Sequence, residues 1–540
     1  MFKPIFLCKC TIMIYLSVVL VFTQHIHYKD VMGDVNQNYI TPFSCIDVVF
    51  FFLSLIIIYF SSVIIRKIIN LISKQVKLPA NFDPREYFFI SVFMIISWLP
   101  YFITYFPGTG TVDEIFMMRY PTSITNQPFF YNMVLNWFWK LGIIISHETW
   151  GLGLLNIIEQ IVMASSLSYL LYWLRNRGLP RKYIYINILI FSFLPIFPNY
   201  AICLAKDKIF SSFFIFFFIS VFEFFTTKGN VINKNKWKIL FLVSSIMIGL
   251  RSNSIYVFWA SSICMIIFYL YHHKLINKIL ILFLLIVTFC SSFSGFFLKY
   301  CYNQHNRFAE AIGIPLQQIA RTIALNGLVT EKEKIFFNQI LPYNDWKKLY
   351  HPFTIDTIKY NPSFNDKFLD SNKKEFLNYY ISTFMDNKKI YMDSYLLSNY
   401  GFWAITKWNM SQTLFTTSLN RGSLNLKDPN EMITRGTKYS DNHLLSLRVK
   451  EKINNFNFKY NSYLGSGFCA WIYLFILLLL IEQKKYRFIL GTLPILFCWG
   501  TILLAAPIAF AFRYTLFFAF LMPGIISLPF MKMEADDNEI

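Results

Sequence analysis

Of 540 residues, 55% are apolar, 19% aromatic and only 15% charged, and the mean hydropathy is +0.44. A water-soluble fold would leave more apolar surface uncovered than soluble monomers tolerate, whereas hydrocarbon accepts it, so a soluble globular domain is excluded. The net charge of +20 would suggest nucleic acid in a soluble chain, but the basic runs Arg66-Lys67, Arg175 to Lys182, Lys228 to Lys238, Lys274 to Lys278 and Lys484 to Arg487 all fall between apolar blocks; that is the pattern of cytoplasmic loops, and no nucleic-acid partner is expected.

In chain order, Lys3 and Lys9 precede an apolar stretch with no A-x-A-like cleavage site after it, which predicts an uncleaved first span over 5–23. Spans over 45–65 and 87–106 follow. Both 128–146 and 151–173 are apolar, yet the chain must return to the basic side at Arg175. The segment with Asn132, Asn136, Trp137, Trp139 and Lys140 is therefore expected to lie along the outer interface as an amphipathic helix. Further spans are expected over 151–173, 183–202, 208–227, 238–250, 254–271 and 275–297. From Lys299 to about Gly465 the chain is polar and rich in Asn and Lys. Three more spans, 467–482, 488–506 and 512–530, close the pattern.

The result is an all-α polytopic protein of about 12 transmembrane helices with both termini in the cytoplasm. Its expected parts are a transmembrane module over 1–297 with an outer loop at 107–150, an extracytoplasmic domain over 298–465, and C-terminal helices with a short tail over 466–540. Helical periodicity in Phe308 to Leu328 and Phe376 to Ile405 makes the outer domain mostly helical. Cys301 is the sole cysteine between 298 and 465, so no disulfide is expected within that domain, and no cysteine spacing suits a metal. The chain has no P-loop and no dinucleotide fingerprint.

The densest polar cluster outside the large domain is Pro107-Gly108-Thr109-Gly110-Thr111-Val112-Asp113-Glu114, at the outer mouth of the third span. Pro and Gly end the helix there and present two adjacent carboxylates beside the bilayer. In a partly desolvated crevice a carboxyl pKa rises toward neutrality, which suits a general base; the plainer reading is a helix cap. Lys206-Asp207, Arg251 and Arg513-Tyr514 fall at the same depth. Each alone reads as a snorkelling interface residue, while together they could hold a lipid-linked phosphate. Within the large domain, Gln317 and Arg321 share a helix face; Trp346, Tyr350, Trp403 and Trp408 are candidate sugar-stacking rings or core aromatics. Glu159 and Gln160 form a polar pair inside a span.

The early hairpin, the Asp-Glu loop after a span, the interfacial helices and the multi-span core resemble the GT-C superfamily of polyprenyl-phosphate-sugar-dependent glycosyltransferases. Val112-Asp113-Glu114-Ile115-Phe116 is similar to the Asp-Glu motif of protein O-mannosyltransferases. More specifically, the chain resembles a bacterial GT-C-like family in the surface-polysaccharide glucosyltransferase group. Pro107-Gly108 with Asp113, Lys206-Asp207, the segment Pro315 to Arg321, Tyr350 to Lys359 with Asp356, and Arg513-Tyr514 follow that family's order. The chain departs from it in two places. Asn126-Gln127-Pro128 stands where the family has His-His-Pro, and the spacing from glycine to aspartate is longer.

The resemblance implies inverting transfer of a sugar, with glucose favoured, from a polyprenyl-phosphate carrier to a glycan acceptor such as O-antigen on the outer face of the bacterial inner membrane. Asp113 would be the base with Glu114 as neighbour or substitute, and Lys206, Arg251 and Arg513 would bind the donor phosphate. Asp207, Tyr514, Gln317, Arg321 and Asp356 would support them. No cofactor is called for, although Asp113 and Glu114 could also ligate a divalent cation. Two other readings are an O-antigen polymerase, which would rely on loop arginines such as Arg321, and a lipid-linked glycan transporter, which would need charges near the bilayer midplane.

Overall fold

A computed structural model describes residues 2–27, 38–73, 83–110, 113–114, 117, 128–146, 148–229, 234–251, 253–273, 307–405, 417–418, 440, 442–460, 465–505, 508–509 and 511–532. Among them, eight helices are long and apolar enough to cross a membrane: Ile5–His25, Cys45–Leu71, Arg85–Thr104, Thr149–Asn176, Lys206–Thr226, Ser254–His272, Tyr486–Ala505 and Phe512–Phe530. Each coincides with an expected span. Lys234–Leu250 and Ser466–Glu482 are 17-residue helices, and the expected span at 275–297 lies outside the described residues.

The expected span at 183–202 is interrupted. Arg181–Phe193 is a helix of 13 residues, about 20 Å long against a hydrocarbon core of about 30 Å, and Ile196–Ala201 is a separate short helix. Pro195 is the cause, because it bars the helical region to the residue before it; Leu194 is extended, at φ −69° and ψ 120°.

At the centre stands Lys206–Thr226, buried except for a half-buried stripe through Ile209, Phe213, Phe216 and Ser220. It packs against Thr149–Asn176, Lys234–Leu250, Tyr486–Ala505 and the last helix. Gly491 permits one of these approaches, since a Cβ there would lie 2.6 Å from the Phe222 ring. Cys45–Ser73 is peripheral and leaves Val48, Phe52, Ile56 and Phe60 exposed, a surface suited to lipid.

The segment expected to lie on the interface, Phe129–Ile145, folds back against the start of the next helix instead of floating free. Its polar side is turned inward. Asn132 is buried, Asn136 donates to Asn132 Oδ1 at 2.7 Å, and Trp137 and Ile144 face outward.

Residues 307–405 carry a second core, built from Leu316, Ile319, Phe337, Trp346, Tyr350 and Phe376 on short helices. This body sits on one rim of the bundle: Ala509 N donates to Phe353 O at 2.8 Å, and Thr354 bridges Ile508. Lys9, Arg66, Arg177, Glu223, Glu482 and Lys485 lie at the other ends of their helices, on the opposite rim.

Candidate functional site

Three short pieces of chain, Thr109–Gly110, Cys203–Leu204 and, antiparallel to the first, Thr417–Ser418, are stitched together at the domain-bearing rim. Thr109–Gly110 pairs in parallel with Cys203–Leu204, in the register Thr109 to Cys203 and Gly110 to Leu204. The two strands run the same way, so the residues that follow them, Asp113-Glu114 and Lys206-Asp207, emerge side by side. Gly108 makes the approach feasible. It holds φ +133°, and a Cβ there would lie 2.0 Å from Asn156 Nδ2 and 2.6 Å from Ile202 O. Asn156 clamps both strands by donating to Pro107 O at 3.1 Å and Ile202 O at 2.5 Å.

The two carboxylates take different roles. Glu114 is buried, and its Oε1 accepts the Lys206 backbone N–H at 3.4 Å, at the positive end of the central helix. Glu114 thus caps the central helix from a distant part of the chain. Asp113 Oδ2 instead receives two cations, Arg513 Nη1 at 2.9 Å and Lys206 Nζ at 3.2 Å.

Arg513 also donates to Tyr514 Oη at 3.2 Å. Arg251 is one step further along the chain of contacts. Its Nη1 donates to Tyr514 O at 3.0 Å, and its guanidinium lies 5.4 Å from the centres of the Tyr514 and Phe210 rings. Asp207 is buried close enough to interact electrostatically with Arg513 and Tyr514. Asp113, Lys206, Asp207, Arg251, Arg513 and Tyr514, scattered over the sequence, therefore share one site.

The expected rise in the Asp113 pKa is overturned. Burial pushes its carboxyl up, but the adjacent Arg513 and Lys206 charges outweigh burial and hold it well below the usual carboxylate range. A raised carboxyl that feels the Asp113 charge is Asp356, in the overlying domain. Burial lifts it, Lys359 at 3.2 Å opposes the shift, and the charges of Glu310 and Asp113 add to it. Lys359 is also paired with Glu310 at 2.7 Å.

Gln317 and Arg321 do not reach this cluster. Both are buried in the core of the domain, where Gln317 donates to His351 O, and Arg321 donates to Tyr350 Oη at 3.1 Å and Asn38 O at 2.9 Å. They fix the 350–351 turn that leads to Asp356. Trp346, Tyr350 and Trp403 are likewise buried core aromatics and not stacking platforms, while Trp408 lies outside the described residues.

Sequence reasoning flagged Glu159 but missed its partners. Glu159 is buried 2.8 Å from Lys208 Nζ and accepts the Tyr131 hydroxyl at 3.0 Å. The signal was an acid inside a span and a lysine in the first turn of the central helix. Among the described residues, no three His, Cys, Asp or Glu side chains converge as a metal-ligand set.

No curated protein and no solved structure matches the chain. A family model described as a family of unknown function (DUF6020) matches residues 117–539, taking in Lys206, Arg251 and Arg513 and beginning just after Glu114; the chain belongs to this family.

Proposed function

We propose that the protein is an inverting glycosyltransferase of GT-C type, with about twelve crossings, that moves a hexose, glucose by resemblance, from a polyprenyl-phosphate carrier to a surface glycan such as O-antigen. In this reading the Asp113 rim and the 307–405 domain face the outside of a bacterial inner membrane. One observation carries it: a single carboxylate oxygen holds two cations at the rim of the bundle, beneath a separately folded domain.

The chemistry follows from that triad. The donor is a phosphodiester whose charge competes with Asp113 for Arg513 and Lys206. As these cations move onto the phosphate, Asp113 loses its counter-charges in a half-buried place and its proton affinity rises. It then takes the proton from the acceptor hydroxyl while the hydroxyl oxygen attacks the anomeric carbon. The bond from that carbon to the phosphate oxygen breaks, and polyprenyl phosphate leaves with its added charge on Arg513 and Lys206. Arg251 holds Tyr514, and through it Arg513, in place. Asp113 is favoured as base over Glu114, which is occupied at the helix end.

The polymerase reading is weaker, since Arg321 is buried in the domain core with Tyr350 and Asn38 as partners. The test is sugar transfer in membranes from a radiolabelled polyprenyl-phosphate sugar. Asp113→Asn at unchanged protein level should lower the rate by ~10² or more; full activity would remove Asp113 as base.

A further inference from the structure

At the rim opposite Asp113, a cavity of about 620 Å³ opens between the end of the Cys45–Ser73 helix, the turn after Glu482 and the end of the last helix. Arg66, Lys67, Lys484, Lys485 and Lys532 line it, against one carboxylate, Glu482. That carboxylate is already engaged. Lys9 Nζ lies 2.8 Å from its Oε1, Ser62 donates to the same oxygen at 2.8 Å, and Arg66 Nε is 4.0 Å from Oε2.

Among the described lining residues, Arg66, Lys67, Lys484 and Lys485 thus outnumber the one carboxylate. Lys485 has its ammonium aimed at Pro529 O, 2.6 Å away, and Met531 O, 2.7 Å away, and burial pulls it down to about 8. An anion in the cavity would restore it.

Apolar surface continues the pocket along the bundle. Leu53, Ile57, Phe60 and Ile64 are exposed on the Cys45–Ser73 helix, at the spacing that places them on one face with Lys67 and running from the rim along the bundle. A ligand with a phosphate at the rim and acyl chains alongside these residues matches both features.

We infer that this cavity binds the phosphate headgroup of an anionic phospholipid, with its acyl chains along Leu53, Ile57, Phe60 and Ile64. The inference rests on membrane embedding and is independent of the sugar-transfer reading. Glu534, Asp536, Asp537 and Glu539 follow Lys532 in the sequence and are the competing anion.

The test uses the full chain, purified in detergent, and native mass spectrometry of bound lipid. Phosphatidylglycerol should be retained and phosphatidylcholine lost. The double variant Lys67→Gln with Lys484→Gln should cut phosphatidylglycerol retention roughly tenfold or more. Lys332→Gln with Lys388→Gln, which removes the same charge from the domain at the other rim, should leave retention unchanged. Lys67→Arg with Lys484→Arg should retain the lipid and so separates charge from folding.

Equal retention of the two lipids, or an unaffected Lys67/Lys484 double variant, overturns the proposal. Inorganic phosphate that displaces the lipid with matching affinity would assign the cavity to free phosphate instead. Retention that emerges only when Glu534, Asp536, Asp537 and Glu539 are changed to their amides would assign it to the tail.

Discussion

Asp113 and Arg513 stand 400 positions apart in the chain and meet at 2.9 Å through Oδ2 and Nη1. Lys206 shares the same oxygen at 3.2 Å. One carboxylate thus neutralises cations from the first residue of the central helix and from the threshold of the last. Any anion that enters must compete with Asp113 for them.

Arg513→Ala should lower sugar transfer by ~10² or more, the effect of losing one buried charged donor to a leaving group. Arg513→Lys should recover only part of this, because a lysine keeps the charge but cannot bond Asp113 and Tyr514 with one planar fork. Initial rates with a polyprenyl-phosphate sugar check it, with protein level measured alongside. An unimpaired Arg513→Ala would dissociate the arginine from the donor phosphate.

The depressed Asp113 pKa fixes the sign of a pH effect. In the resting protein its ion pairs stabilise the fold fully above the unfolded value near 3.9, and that stability is lost only as pH falls through the lower folded value. Asp113 is then ionised throughout the neutral and mildly acidic range. With donor bound the cations are shared with phosphate and the carboxyl titrates higher. The acid limb of kcat should therefore lie at higher pH than the acid limb of kcat/KM. Coincident limbs in a pH-rate profile would contradict release of Asp113 by the donor.

Asp356 provides the contrast. Its carboxyl is raised, first by burial, so its ionised form is the disfavoured one in the folded protein, and that penalty is relieved as pH falls through the raised value. Asp356→Asn removes the penalty and leaves Lys359 with Glu310. We expect transfer within about threefold of the original protein. A hundredfold loss here, with Asp113→Asn spared, would move the base to Asp356.

Glu159 and Lys208 form a buried pair inside the bundle, away from the Asp113 ion pairs. Glu159→Ala leaves the Lys208 ammonium buried without its carboxylate and should destabilise by about 3 to 5 kcal/mol. Glu159→Met combined with Lys208→Met should recover most of that loss. Thermal unfolding in detergent reads the difference, and transfer per folded molecule should be unchanged in the double variant.

How much of this was legible without coordinates depends on how local each cause is. Hydrophobicity over twenty residues is a local property, so the eight long apolar helices could be read directly. Pro195 was also visible, but its effect on 183–202 depends on how the freed backbone groups are accommodated by neighbouring helices, which composition does not encode. The polar residues of 129–145 likewise pointed to an interface, but that Asn136 bonds Asn132 and that Asn132 is buried against neighbouring helices depends on packing.

The sequence by itself determined that the chain belongs in a bilayer and that Asp113, Lys206, Arg251 and Arg513 lie at span ends. Only the tertiary structure decided that they meet, through the parallel pairing of Thr109 with Cys203 and the seating of Arg513 beside Tyr514. It also reversed the direction of the Asp113 pKa. The physical reason is that burial is foreseeable from a local apolar context, whereas Coulomb energy depends on distances of a few ångströms between residues hundreds of positions apart.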